Sequence, residues 1–355
     1  DTWWAVEVGL VDSMPAPERI IYAPPTAEAL PQLYINNEVD VGKTMIKGTF
    51  EAAKAQNPSL RSWRANGPVY GAPDGCNYTI VFNNQKEPFN DPEIRWAFNH
   101  AIDRAAVADL AYEGASRKNV APFSSYGGIQ NYLAPLQDLF AKYNVDDYDI
   151  QKTADILTRK GYRKGPDGFW RKSDGSAWSL TLYTGQSDPL APVVVEQLKL
   201  AGFDVKLETL TGTVHSDTLS TGGFDLFRWV HCGSIDDPWQ TLQHFHSKYA
   251  PPLGQKTPNI RAVTRYSNPE LDSLLNQMEA RVPSPNDPVY ADLVKKATEI
   301  YLRDLPELVI SEEFHVVLFN EKYWTGWPSE QDPYVAPYVP WEGFNQIIHR
   351  LKPTQ

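Results

Sequence analysis

Two cysteines and three methionines are all the sulfur in this 355-residue chain, and no long apolar run interrupts it. Nothing approaches the ~20 consecutive apolar residues that a membrane-crossing helix requires. Basic charge is also in short supply: 33 Lys and Arg stand against 44 Asp and Glu, a net charge of −11. A surface of that sign cannot neutralise a line of phosphates, which argues against a nucleic-acid partner. The usual catalytic signatures are missing as well: no GxSxG, HExxH, GxGxxG or CxxC occurs. Gly42-Lys43-Thr44 resembles the end of a phosphate loop, but Asn37 stands where its first glycine must be. His244 and His246 are two apart, a poor metal pair, and read as solvated surface histidines. The acid pairs Asp236-Asp237 and Glu312-Glu313 invite comparison with glycosidases. Neighbours on a strand point to opposite faces, however, so neither pair alone straddles a substrate. Asp237, just before Pro238, reads more simply as a helix cap.

Aromatic residues and proline are abundant, with 11 Trp, 18 Tyr and 29 Pro. A buried indole N–H must find a partner, so tryptophan in such number points to an aromatic-lined cleft as well as a packed core. The length suits two lobes, because a single core stops growing at roughly 250–300 residues. Two cysteines fit one bridge in an oxidising compartment or two buried thiols in a reducing one, and spacing alone leaves both open. No signal-peptide pattern follows Asp1, which is silent on any leader removed beforehand.

Alternation in NYTIVFNNQ predicts a strand that sets Tyr78, Ile80 and Phe82 against Thr79, Val81 and Asn83. One long helix is expected from Asp91 to Gly114, capped by Asp91 with Pro92 at its first position. Ile94, Ala97, Phe98, Ala101, Ile102 and Ala105 form its apolar stripe. A shorter helix is expected near residues 26–36. Further helices are read at Ile150–Gly161, Ala191–Ala201, Asp237–His246, Pro269–Arg281 and Pro288–Asp304, with strands over Trp178–Thr184, Phe203–Leu207 and FDLFRWV. Strands alternating with helices argue for an α/β fold. A strand-like run LVISEEFHVVLFN leads into an aromatic tail.

Taken in order, several segments form a pattern. Asn83, Pro88-Phe89, Asp91, Arg95 with Ala97, and Ile102-Asp103-Arg104 are followed by Gly161-Tyr162 and then Phe224-Asp225-Leu226. The set resembles the large solute-binding proteins of ABC importers, the family 5 type that takes oligopeptides, nickel or oligosaccharides. The resemblance runs almost the whole length of the chain. It implies a two-lobed, type II-like α/β clamp with a complete second lobe at residues 79–309. Residues 1–78 and 310–355 would be parts of the first lobe, completed by an N-terminal portion of the same protein. It further implies an exported protein, periplasmic or extracellular, free or lipid-anchored, with permease subunits as partners. Its ligand would be held between lobes by hinge closure, with no cofactor and no reaction step.

Within that family, the strand FDLFRWVHCGSIDDPW carries ligand contacts. Alternation places Arg228, Val230 and Cys232 on one face and Phe227, Trp229 and His231 on the other. Oligopeptide-binding relatives carry an Asp two residues after the cysteine, where it pairs with the peptide α-amino group. Here that position is Ser234, and a hydroxyl is a poor partner for a buried ammonium. The tryptophans favour a sugar, whose C–H faces stack on indoles. The expected ligand residues are therefore Trp3, Trp4, Arg228, Trp229, His231, Ser234, Asp236 and Trp239. A β-linked gluco- or xylo-oligosaccharide ranks ahead of an oligopeptide, and a carbohydrate-active enzyme comes well behind. The resemblance also pairs Cys76 with Cys232, closing a loop worth about 5 kcal/mol in the chain-entropy picture.

Overall fold

The computed structural model describes residues 3–354 apart from 24, 27, 43–45, 186–187 and 338–342. Lys43 and Thr44, and residues 338–342 of the aromatic tail, thus lie outside the described residues. No described helix is long and apolar enough to cross a membrane. The chain divides into two compact units. One comprises residues 1–73, 112–115 and 314–355, the other residues 74–111 and 116–313.

In the first unit, Leu318–Asn320 is the middle strand of a three-stranded sheet, flanked by Val41–Gly42 and Leu60–Arg61. Period-2 alternation sends the side chains on and before this strand into two cores. Val316 and Leu318 join Tyr34, Phe50, Ala53 and Leu60 beneath the helices Leu30–Ile35 and Lys47–Gln56. Val317 and Phe319 join Trp327, Ile347 and Leu351. The expected helix near residues 26–36 is only Leu30–Ile35.

The second unit is built on a five-stranded sheet. Its strands are β1 (Ala72–Phe82), β2 (Ser179–Thr184), β3 (Asp204–Thr209), β4 (Leu226–Cys232) and β5 (Glu307–His315), in the spatial order β3-β2-β4-β1-β5. β3 and β4 run parallel to β2, while β1 and β4 are antiparallel. One face buries Phe82, Phe89, Phe98 and Phe203, with Phe98 and Phe203 stacked at 4.1 Å between centroids. The other buries Val81, Leu219, Phe224, Phe227 and Val263. The β1/β4 register sets Cys76 directly opposite Cys232, and the two are joined in a disulfide.

The long helix expected over residues 91–114 is in fact two, α1 (Pro92–His100) and α2 (Arg104–Tyr112). Asp91 caps α1 through the Glu93 amide at 3.0 Å, as anticipated. The break follows from Asp103, whose carboxylate accepts from the Ala106 amide at 3.0 Å and so starts a new helix. An aspartate offering its own acceptor competes with the continuing backbone ladder. The break turns Arg104 inward. Its guanidinium donates to the Val309 carbonyl at 2.7 Å, the Val145 carbonyl at 2.9 Å and Asn99 Oδ1 at 2.7 Å. Arg95, also buried, donates to the carbonyls of Phe89 at 2.5 Å and Leu305 at 2.9 Å, and to that of Asp304. These two arginines of the family pattern are structural ties between the helices and the approach to β5. The remaining long helices of the unit are α3 (Ile150–Arg159), α4 (Leu190–Leu200), α5 (Gly212–Thr221), α6 (Pro269–Glu279) and α7 (Pro288–Asp304). The single helix expected over residues 237–246 is one turn, Trp239–Leu242, continued by a 3₁₀ turn over Gln243–Phe245.

Candidate functional site

Parallel strands leave a crevice outside their carboxyl ends, where side chains of successive loops converge. In the second unit that edge is formed by the ends of β2 and β3 and by the middle of β4. β2 ends at Thr184 and leads through Gly185 to Asp188. β3 ends at Thr209 and leads into α5, whose first turn carries His215. Leu182 and Tyr183 pair with Leu226 and Phe227, so Arg228 and Trp229 lie level with the end of β2.

Arg228 is spent within the fold. Its Nε lies 2.5 Å from Asp188 Oδ2, with both side chains at most 10% exposed. Its guanidinium sits 4.4 Å from the centroid of Tyr78, and the Tyr78 hydroxyl donates to Glu313 Oε1 at 3.2 Å. Asp188 also accepts from Thr184 Oγ1 at 2.9 Å and from the Leu190 amide at 2.9 Å, which caps α4. The charge here is balanced and pre-organised.

On the opposite face of β4 lies a polar cluster. His231 Nδ1 is 2.7 Å from Glu307 Oε1, and its Nε2 is 2.9 Å from His244 Nδ1. Both ring nitrogens of His231 are thus engaged, and the residue is buried. Contrary to the sequence reading, His244 is also buried. It faces His231 because the short 3₁₀ turn, rather than a longer helix, carries it. His246 turns elsewhere, to Asp272 at 3.2 Å and Asn276 at 3.2 Å. Burial, with electrostatic repulsion from His231 and Arg261 behind it, lowers the His244 pKa to about 2. A histidine whose folded pKa lies below its unfolded value contributes stability that is complete above the unfolded value and lost as pH falls below it. The protein is therefore expected to lose of order 1 kcal/mol per pH unit below about pH 6.5 through this one group. Urea titrations at pH 7.5, 6 and 5 on wild type and His244→Phe check this. Parallel slopes in the two proteins would remove the assignment.

Ser234, expected at the ligand, is fully buried instead. Its amide donates to Thr241 Oγ1 at 2.8 Å and its Oγ accepts from the Thr241 amide at 3.1 Å. This reciprocal pair holds the turn against Trp239–Leu242. Asp237 Oδ1 accepts from the Trp239 amide at 3.0 Å, as a cap should, and from the Tyr290 hydroxyl. Asp236 is exposed, with Oδ1 3.3 Å from the Gly128 amide. Glu312 accepts from the Ser125 amide at 2.6 Å, whereas Glu313 meets Tyr78, so the adjacent acids do point apart. Trp229 and Trp239 are half-buried. Trp3 and Trp4 belong to the first unit, where Trp3 stacks on His349 at 5.1 Å and Trp4 is exposed. The site described here is confined to the second unit.

The family model of the bacterial extracellular solute-binding proteins, family 5 (middle), matches residues 1–251. The chain belongs to this family. The oligopeptide-binding protein OppA of Bacillus subtilis is 24% identical over 250 residues, which is 70% of this chain and 42% of that protein. The periplasmic murein peptide-binding protein MppA of Escherichia coli is 23% identical over 265 residues, 73% of this chain and 43% of that protein. The chain thus spans about two fifths of the length of these curated relatives. A periplasmic oligopeptide-binding protein of Thermotoga maritima, solved with mannohexaose bound, superposes with a TM-score of 0.80 at 22% identity. The match covers 99% of this chain and 65% of that one. A second structure of the Thermotoga protein gives a TM-score of 0.84 at 23% identity. The fold is therefore the mixed α/β fold of the two-lobed family 5 binding proteins.

Proposed function

We propose that this chain is part of the extracytoplasmic solute-binding component of an ABC importer, and that its solute is an uncharged, hydroxyl-rich oligomer, an oligosaccharide. Family membership supports the first half of the reading, together with export, permease subunits as partners and the absence of a reaction step. The observation that carries the second half is the closed charge balance on β4. Arg228 is paired with Asp188 and packed on Tyr78, so binding a peptide carboxylate there would require breaking a nearly buried ion pair. Ser234, where peptide-binding relatives are expected to hold an ammonium partner, is buried and engaged with Thr241. Half-buried aromatic residues at the same edge, Trp229 and Tyr183, suit the C–H faces of sugar rings. The mannohexaose on the Thermotoga protein points the same way.

An oligopeptide is the second reading. OppA and MppA are named for peptides, and Asp236 is an exposed carboxylate at the edge that could meet an ammonium. A thermal-shift panel separates the two. Mannohexaose and cello- and xylo-oligosaccharides are expected to raise the melting temperature, and di- to pentapeptides to leave it unchanged. The opposite ranking would transfer the solute to peptides.

A further inference from the structure

Buried N–H groups in folded proteins nearly always have partners. At the carboxyl edge of β2, β3 and β4 one does not. Among the described residues the Trp229 indole N–H has no hydrogen-bond partner, and its nitrogen is shielded from solvent although the ring is half-buried. Beside it, 6.3 Å away between centroids and tilted by 37°, is the ring of His215. Neither His215 nitrogen takes part in a hydrogen bond among the described residues.

Among the described residues, both rings are held by packing. His215 meets Phe227 edge-on at 5.1 Å. Trp229 and Tyr183 pack against the apolar cluster of Val81, Leu219, Phe224 and Phe227. The neighbouring position is Gly185, where a side chain's first carbon would lie 3.5 Å from His215 Nε2. A residue without a side chain therefore keeps space open against the unpartnered nitrogen.

We infer that Trp229, His215 and Gly185 form a subsite for a hydroxyl group of the solute, with His215 its specificity-determining residue. Burial lowers the His215 pKa from its ordinary value, so the ring is neutral at pH 7 and offers one donor and one acceptor. A hydroxyl both donates and accepts and so satisfies a neutral imidazole and an indole N–H together. A carboxylate can only accept, and an ammonium can only donate. The subsite thus rests on the solute-binding reading and narrows its ligand to a polyol or sugar.

The test is calorimetric titration of the full chain with mannohexaose and with tetra-alanine, on wild type, His215→Phe, Trp229→Phe and Gly185→Val. The phenylalanine variants keep an aromatic ring at each position and remove its polar nitrogens, and Gly185→Val fills the space against the His215 ring while leaving the polar atoms of both rings in place. Mannohexaose binding is expected to weaken about tenfold in each, the loss of roughly one ligand hydrogen bond, while melting temperatures without ligand stay at the wild-type value. Wild-type binding of mannohexaose with unchanged affinity in all the variants would overturn the subsite and leave the function intact. Binding of tetra-alanine alone would overturn both the subsite and the sugar. Binding of neither probe would sink the solute reading and the subsite with it.

Discussion

Arg104→Met is expected to cost about 3–5 kcal/mol of folding stability, although Arg104 touches no candidate ligand residue. Its guanidinium is buried, and burial lowers its pKa to about 10. It nonetheless satisfies two backbone carbonyls and Asn99 Oδ1, at 2.7–2.9 Å. Methionine keeps most of the aliphatic stem but removes all three bonds. The Val145 carbonyl keeps a second donor, Asn99 Nδ2 at 2.8 Å, while the Val309 carbonyl and Asn99 Oδ1 lose theirs, and an unmade bond in a buried site costs the full desolvation of the group. Lysine would retain the charge but not the planar fork that reaches three directions, so Arg104→Lys should fall between the two. Urea denaturation midpoints measure the series. A loss below about 1 kcal/mol for Arg104→Met would mean that the freed acceptors find other partners.

Removing the Cys76–Cys232 bridge is expected to have an effect of similar size. The cysteines are 156 residues apart in sequence and directly opposite in the β1/β4 ladder. Cross-linking across so long a loop restricts the unfolded chain by up to about 5 kcal/mol. Comparing the oxidised protein with the Cys76→Ala/Cys232→Ala variant by denaturation reads this directly. Non-reducing peptide maps should show the two peptides linked, and two free thiols would contradict the pairing. The bridge binds no solute. It fixes the register that sets Trp229 against Thr79 and Arg228 against Ile80, three and four residues from Cys232.

What the sequence disclosed followed local chemistry. Asp91 and Pro92 mark a helix start by capping and by a missing N–H, and α7, read as Pro288–Asp304, begins at Pro288 behind the capping Asp287. The 91–114 helix misled because its apolar stripe continues through Ala101 and Ile102, and periodicity does not register an aspartate that caps from within. The site was harder to read. His231 and Ser234 were placed at the ligand by their position beside Arg228 and Cys232, but their partners Glu307, His244 and Thr241 come from other elements. No spacing along one strand reports such contacts. His215 was missed altogether, since a lone histidine on an undistinguished helix carries no pattern. Only the fold sets it beside Trp229 and Gly185.

The strand order β3-β2-β4-β1-β5 has a consequence for how the second unit is assembled. β1 is the first strand of this five-stranded sheet in chain order, yet its neighbours are the fourth and the fifth. It has no partner close in sequence, and its ladder with β4 begins only with Leu226. The central pairing is therefore of high contact order, the kind that forms late because loop closure must precede any reward. Until β4 arrives, a strand rich in apolar side chains (Ile80, Val81, Phe82) waits unpaired. The β2-α4-β3 segment can form early from local contacts, whereas β1 is added only when most of the chain is available.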